Sequence, residues 1–167
     1  MNIIKNTIHT EAIFSDDEQH RYLLKKTWDE KKPACTVITM YPHLDGVLSL
    51  DLTTVLILNQ LANSEQYGTV FLVNLLSNIK TSENLKHIKE PFDKHIDIHL
   101  MKAISESETV ILAYGAYAKR PVVVKRVEQV MEMLKSHKKK VKKLINPATN
   151  EIMHPLNPKA RQKWTLK

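Results

Sequence analysis

Apolar runs and polar punctuation alternate along this chain with two periods. Cys35-Thr36-Val37-Ile38-Thr39-Met40, Val70-Phe71-Leu72-Val73 and Thr109-Val110-Ile111-Leu112-Ala113 are short, continuous runs rich in β-branched residues. Such runs predict strands buried on both faces. They stop at Tyr41-Pro42, at Asn74 and at Tyr114-Gly115. Val141 to Ile145 reads as a weaker fourth strand with lysines on both sides. Between the strands the period becomes helical. Leu52, Val55, Leu56, Leu58, Leu61 and Ala62 recur at helical spacing, and Asp51 sits where an N-cap belongs. Ser82 to Ser105 reads as a helical region divided by Pro91 and Asp93, and Pro121 fits the first turn of a helix running to about His137. Upstream, Ile13-Phe14 and Tyr22-Leu23-Leu24 flank the polar stretch Ser15 to His20, which predicts a hairpin within about residues 8–30.

Strands that alternate with helices predict an α/β fold. The expectation is a three-layer α/β/α sandwich with a mostly parallel four-stranded central sheet, an N-terminal β-hairpin, and one domain over residues 1–167. Ligands of open parallel sheets bind beyond the carboxyl ends of the strands. Tyr41-Pro42-His43, Asn74, Tyr114-Gly115 and His154, at the end of the loop after strand four, are expected to converge there.

Composition narrows the chemistry. With 43% hydrophobic and 26% charged residues in 167, the chain is long enough for a real core and is neither collagen-like nor disordered. No apolar run approaches the ~20 residues that cross a bilayer, and the start lacks a secretory signal, so the expectation is a cytoplasmic protein without a membrane partner. The lone Cys35 makes no intrachain disulfide or cysteine-based metal centre. Three glycines provide no phosphate-cradling loop. No cofactor is expected. His95 and His99 lie four apart on a predicted helix, yet no third ligand accompanies them, so no metal is expected either.

Charge is unevenly placed. Residues 119–167 carry 14 lysines and arginines against three acids, a net of +11, while residues 1–118 carry a net of −4. A basic third on an acidic body suggests a polyanionic partner, nucleic acid first. Lys119, Arg120, Lys138, Lys139, Lys140, Lys142, Lys143, Lys159 and Arg161 are the candidate phosphate contacts. If they hold phosphates, affinity falls steeply with salt.

The strand-end stretches, in order, resemble the uracil-DNA glycosylase superfamily, whose members carry Gly-Gln-Asp-Pro-Tyr-His or Gly-x-Asn-Pro, then Leu-Leu-Leu-Asn, then Leu-Trp-Gly-x-Tyr-Ala, then His-Pro-Ser-Pro-Leu. The counterparts are Met40-Tyr41-Pro42-His43, Phe71-Leu72-Val73-Asn74, Leu112-Ala113-Tyr114-Gly115-Ala116-Tyr117-Ala118 and His154-Pro155-Leu156. The chain is also similar to a bacterial and phage domain-of-unknown-function family, number 1643. Its pattern is matched by Arg21-Tyr22-Leu23-Leu24…Trp28, Met40-Tyr41-Pro42-His43, Asp51-Leu52-Thr53, Tyr67-Gly68…Val73-Asn74-Leu75 and His154-Pro155-Leu156.

The glycosylase resemblance implies a pocket for a base drawn out of the stack. It implies that Asn74 reads the base edge, that His154 donates to the leaving base, and that Leu156 fills the gap in the duplex. Tyr41 occupies the place of the water-activating Asp or Asn, and a phenol of pKa ≈ 10 is a poor base near neutral pH. His43 stands where the uracil enzymes have a gating Tyr. Between residues 44 and 66 there is no aromatic ring to stack on a base. Three readings follow. The first is a nucleic-acid-binding protein, DNA before RNA, on a glycosylase-like scaffold without base excision. The second is an active glycosylase in which His43, Asp45 or Asp51 replaces the lost activator. The third is a protein-interaction module that meets another enzyme of DNA replication or repair.

Overall fold

Period-two alternation sorts the strand side chains onto two faces, and the helices cover both. In the computed structural model, which describes residues 1–43, 47–81 and 88–167, the strands are β1 (His9–Phe14), β2 (Arg21–Thr27), β3 (Ala34–Thr39), β4 (Thr69–Asn74), β5 (Thr109–Leu112) and β6 (Val141–Lys143). The helices among the described residues are α1 (Leu52–Asn63), α2 (Ile96–Glu106), α3 (Pro121–Met133) and the short α4 (Pro158–Gln162). One face sends Ile38, Phe71, Val73, Val110 and Leu112 against Leu100 and Ile104 of α2 and Val123 and Val130 of α3. The other sends Cys35, Val37, Val70, Leu72 and Ile111 against Ile57, Leu58 and Leu61 of α1 and Ala160 of α4. Trp28 and Trp164 pack against this second cluster.

The sheet runs β1-β2-β4-β3-β5-β6. Its β4-β3-β5-β6 block is parallel, as the apolar runs predicted, with Thr39 opposite Asn74 at the carboxyl ends. The expected four-stranded sheet with a separate hairpin is corrected to a six-stranded mixed sheet. β2 pairs antiparallel with β4, placing Leu24 opposite Leu72, and β1 pairs antiparallel with β2. The reason lies in burial. Nearly every residue of β2 is buried, so its backbone groups need strand partners on both sides.

Two elements start later or end sooner than predicted. Residues 88–95 are irregular chain with bends and a turn, α2 begins at Ile96, and residues 82–87 of the predicted helix lie outside the described residues. The helix from Pro121 passes into a 3-10 segment, Leu134–Lys140. Asp51 caps α1 as read: one carboxylate oxygen accepts from the Thr54 amide (3.1 Å) and the other from the Thr54 hydroxyl (2.6 Å). Thr54, Ile57, Leu58 and Leu61 then form its buried stripe, at the i, i+3, i+4, i+7 spacing of an amphipathic helix.

The amino ends of the strands are sealed. The Gly68 carbonyl accepts from the amides of Trp28 (2.9 Å) and Asp29 (3.1 Å), and the Gly68 amide donates to Pro33 (3.0 Å). A Cβ on Gly68 would sit 1.8 Å from the Asp29 carbonyl oxygen, so only glycine fits this crossing. Nearby, the Lys140 ammonium donates to the carbonyls of Ile104 (3.2 Å), Ser105 (3.3 Å) and Ser107 (2.8 Å) at the carboxyl end of α2. No helix among the described residues is long and apolar enough to cross a membrane.

Candidate functional site

The carboxyl ends of the same strands stay open around a cavity of about 270 Å³. That is the small end of the ~300–1,000 Å³ typical of ligand sites, the size for one ring system rather than a dinucleotide. Tyr41 and His43 after β3, Asn74 at the end of β4, Tyr114-Gly115 after β5, and His154 and Leu156 from the last loop all line it. The amino-terminal turn of α1 closes one side with Asp51, Thr53 and Thr54.

The Asn74 side chain is buried and sits opposite Thr39, donating from Nδ2 to the Thr39 hydroxyl (2.6 Å). That bond fixes which way the amide points. One N–H is taken, leaving a second N–H and the carbonyl oxygen with hydrogen-bonding capacity.

His154 arrives on a return turn. Beyond β6 the chain bridges back, with Ile145 opposite Ile152 and the Met153 amide donating to Leu144 (2.7 Å). The His154 Nδ1 accepts from the Leu156 amide (3.2 Å), which places the ring proton on Nε2. Burial, with the neighbouring His43 adding to it and Asp51 opposing, pushes the ring's pKa from 6.5 down to about 4. At neutral pH, His154 is therefore an uncharged donor through Nε2–H. Gly115 makes room for it: its backbone sits at φ +73°, and a Cβ there would lie 2.8 Å from the His154 Cβ.

Sequence reasoning missed Arg21. It is only 4% exposed, and it reaches the cavity wall because antiparallel β2 begins where β4 ends. Its Nη1 donates to the His43 carbonyl (2.8 Å), and burial lowers its pKa to about 10, so it stays cationic at neutral pH. Lys26, also on β2 and buried, donates to the Val47 carbonyl (3.0 Å) and the Thr10 hydroxyl (2.9 Å). β2 thus grips the chain leaving β3 at two carbonyls. The one-dimensional signal was an arginine opening an apolar strand.

An aromatic ring does stand at the cavity, from a residue not singled out for stacking in the sequence. Tyr117, in the 3-10 turn Ala116–Lys119, lines the cavity and is 54% exposed, with the Arg120 guanidinium 3.9 Å from its ring centroid. The Tyr41 and His43 rings meet edge to face at 5.8 Å, and Tyr41 leans on the core. Asp51 is the sole carboxylate on the wall among the described residues. Asp45 lies outside the described residues.

The basic candidates do not form one surface. Lys119 pairs with Glu151, and Arg120 lies over Tyr117, both at the cavity end; Lys159 and Arg161 are on α4, directly after Leu156. Lys138, Lys139 and Lys140 belong to the opposite end of the sheet, where β6 begins. Lys140 is bound to the end of α2, and strand alternation turns Lys142 and Lys143 to opposite faces. Arg126 is buried, donating to the Leu75 carbonyl (2.8 Å) and pairing with Asp97. His95 precedes α2 and His99 stacks on Tyr22 at 5.0 Å. No group of three or more His, Cys, Asp or Glu side chains among the described residues is placed to hold a metal ion.

The chain belongs to the family described as "Protein of unknown function (DUF1643)", whose profile matches residues 21–156. The match begins at Arg21 and ends at Leu156, both on the cavity wall. Comparisons with curated proteins and with solved structures return no match.

Proposed function

We propose that the protein binds nucleic acid by taking a single base into the cavity at the carboxyl ends of β3, β4 and β5, on a glycosylase-like scaffold, without breaking the glycosidic bond. The observation that carries this reading is the presence of Asn74 and an uncharged His154 on the wall of one cavity of ring size. An amide with a fixed orientation reads a base edge through both a donor and an acceptor. The His154 Nε2–H donates to a ring acceptor without bringing a charge. Tyr117 at the rim offers a face for stacking. Lys119, Arg120, Lys159 and Arg161 flank this end and would meet phosphates.

Excision needs a water activator, and a positioned general base contributes ~10²–10⁴-fold. Tyr41 stands in that place here. Asp51 accepts two hydrogen bonds from Thr54, which hold its carboxylate as a helix cap.

The test is base release from single- and double-stranded oligonucleotides containing uracil, read as strand cleavage after alkali, beside binding to unmodified strands. The expected result is no release by the wild type, with salt-sensitive binding that falls at least tenfold in Asn74→Ala and His154→Gln. Binding indifferent to both substitutions overturns the reading. Tyr41→Asp and Tyr41→Asn ask whether restoring the activator restores release.

A second reading is excision with Asp51 as activator, favoured by its place on the cavity wall. Release by the wild type that disappears in Asp51→Asn selects it. Asn caps a helix as well as Asp does, so that variant keeps α1.

A further inference from the structure

A second concavity, about 540 Å³, lies away from the cavity, between α3, the 3-10 segment after it, and the outer strand β6. Its floor is apolar. Met131 and Val141 are partly buried there against the core, with Leu134 fully buried beneath them. Its walls carry opposite charge. Lys138 of the 3-10 segment and Lys143 of β6 line one side, and Glu128 and Glu132 the α3 side, where Lys135, also lining the groove, pairs with Glu132 (2.5 Å).

We propose that this groove docks an amphipathic helix of a protein partner, its apolar stripe on the floor and a row of acidic side chains facing Lys138 and Lys143. Three features select that occupant. An apolar floor gains nothing from a sugar-phosphate backbone, whereas leucine-sized side chains bury there against core residues. Lys135 offsets Glu132 on the α3 wall, which leaves Glu128 as the acid an occupant must avoid, and a helix whose acids occupy one flank only can do so. The lysines are also the ones left available: of the five lysines between 138 and 143, Lys140 is bound to carbonyls at the end of α2, Lys142 lies on the other face of β6, and Lys139 does not line the groove. The groove shares no lining residue with the cavity of Asn74 and His154, so partner docking and base binding are separable functions of one chain.

The probe is a synthetic peptide with leucines at i, i+3, i+4 and i+7 and glutamates along one flank, fluorescently labelled and titrated with the full chain near physiological salt. Saturable binding is expected, weakened at least tenfold in the double variant Lys138→Glu, Lys143→Glu, and lost when the leucines become serine. A peptide carrying lysines on the flank should bind that double variant better than the wild type, a rescue that misfolding cannot imitate. His154→Gln should leave peptide binding unchanged. Undiminished binding in the charge-reversed variant, or displacement of the peptide by a single-stranded oligonucleotide in the wild type but not in that variant, overturns the proposal. The latter outcome would assign the groove to nucleic acid.

Discussion

The two ends of the sheet are built from the same strands and treated in opposite ways. At the amino ends, polar groups of backbone and side chain meet partners within the protein. Gly68 accepts two amides and donates one, Lys140 satisfies carbonyls at the end of α2, and the Tyr67 hydroxyl donates to Thr109 (3.0 Å). At the carboxyl ends, side chains with unused capacity surround an open space. The difference teaches where this chain tolerates polar atoms that are not fully used. Each buried polar group normally needs a partner. Here the Asn74 amide keeps an N–H and the His154 ring an Nε2–H beyond the bonds they make, while the other end is closed with glycine and lysine.

The sharpest test of that contrast is the pair of glycines. Gly68→Ala drives a methyl into a backbone carbonyl, so a loss of about 3–4 kcal/mol is expected from urea unfolding, the upper range for overpacking. Next is pH. The folded pKa of His154, about 4, lies below its ordinary 6.5, so as pH falls the unfolded chain takes up the proton first. The contribution of His154 is complete above pH 6.5 and disappears as pH falls toward 4, amounting to at most about 3 kcal/mol. Unfolding midpoints of wild type and His154→Gln at pH 7 and 4.5 should converge in acid; parallel curves would mean the imidazole is not desolvated. Gly115→Ala should cost about 2 kcal/mol, from positive φ and the crowded His154, and should weaken oligonucleotide binding, which Gly68→Ala should not do once folded. The smallest effect belongs to Lys140→Ala, about 1 kcal/mol with oligonucleotide affinity and its salt slope unchanged, whereas replacing Lys119 and Arg120 should flatten that slope.

Much of this was legible one residue at a time. The apolar runs marked β3, β4 and β5, because strands buried on both faces are continuous in sequence. Asp51 announced α1 through local capping chemistry. The cavity wall was legible at Tyr41, Asn74, Tyr114 and His154 because each terminates or follows a strand. What stayed hidden depends on pairings far apart in sequence. Nothing local says that β2 lies against β4, so Arg21 read as a strand residue and its place at the cavity went unseen. The lysine run read as one basic patch because a string has no faces. A helix end captured Lys140, and the strand period sent Lys142 away from Lys143.

The contact between Gly115 and His154 also sets an order of events. His154 is delivered by the turn beyond β6, which pairs with β5, and β5 joins the sheet through β3, its far more sequence-distant parallel partner, with Cys35 opposite Thr109. Such closures are slow steps in folding, because loop entropy is lost before the pairing rewards it. The cavity is therefore expected to be complete only when β5, carrying β6 and the His154 turn, closes on β3 beside Asn74. A probe of base binding during refolding should lag behind a probe of the core. Ligand present throughout should slow the separation of β5 from β3 more than that of β1 from β2.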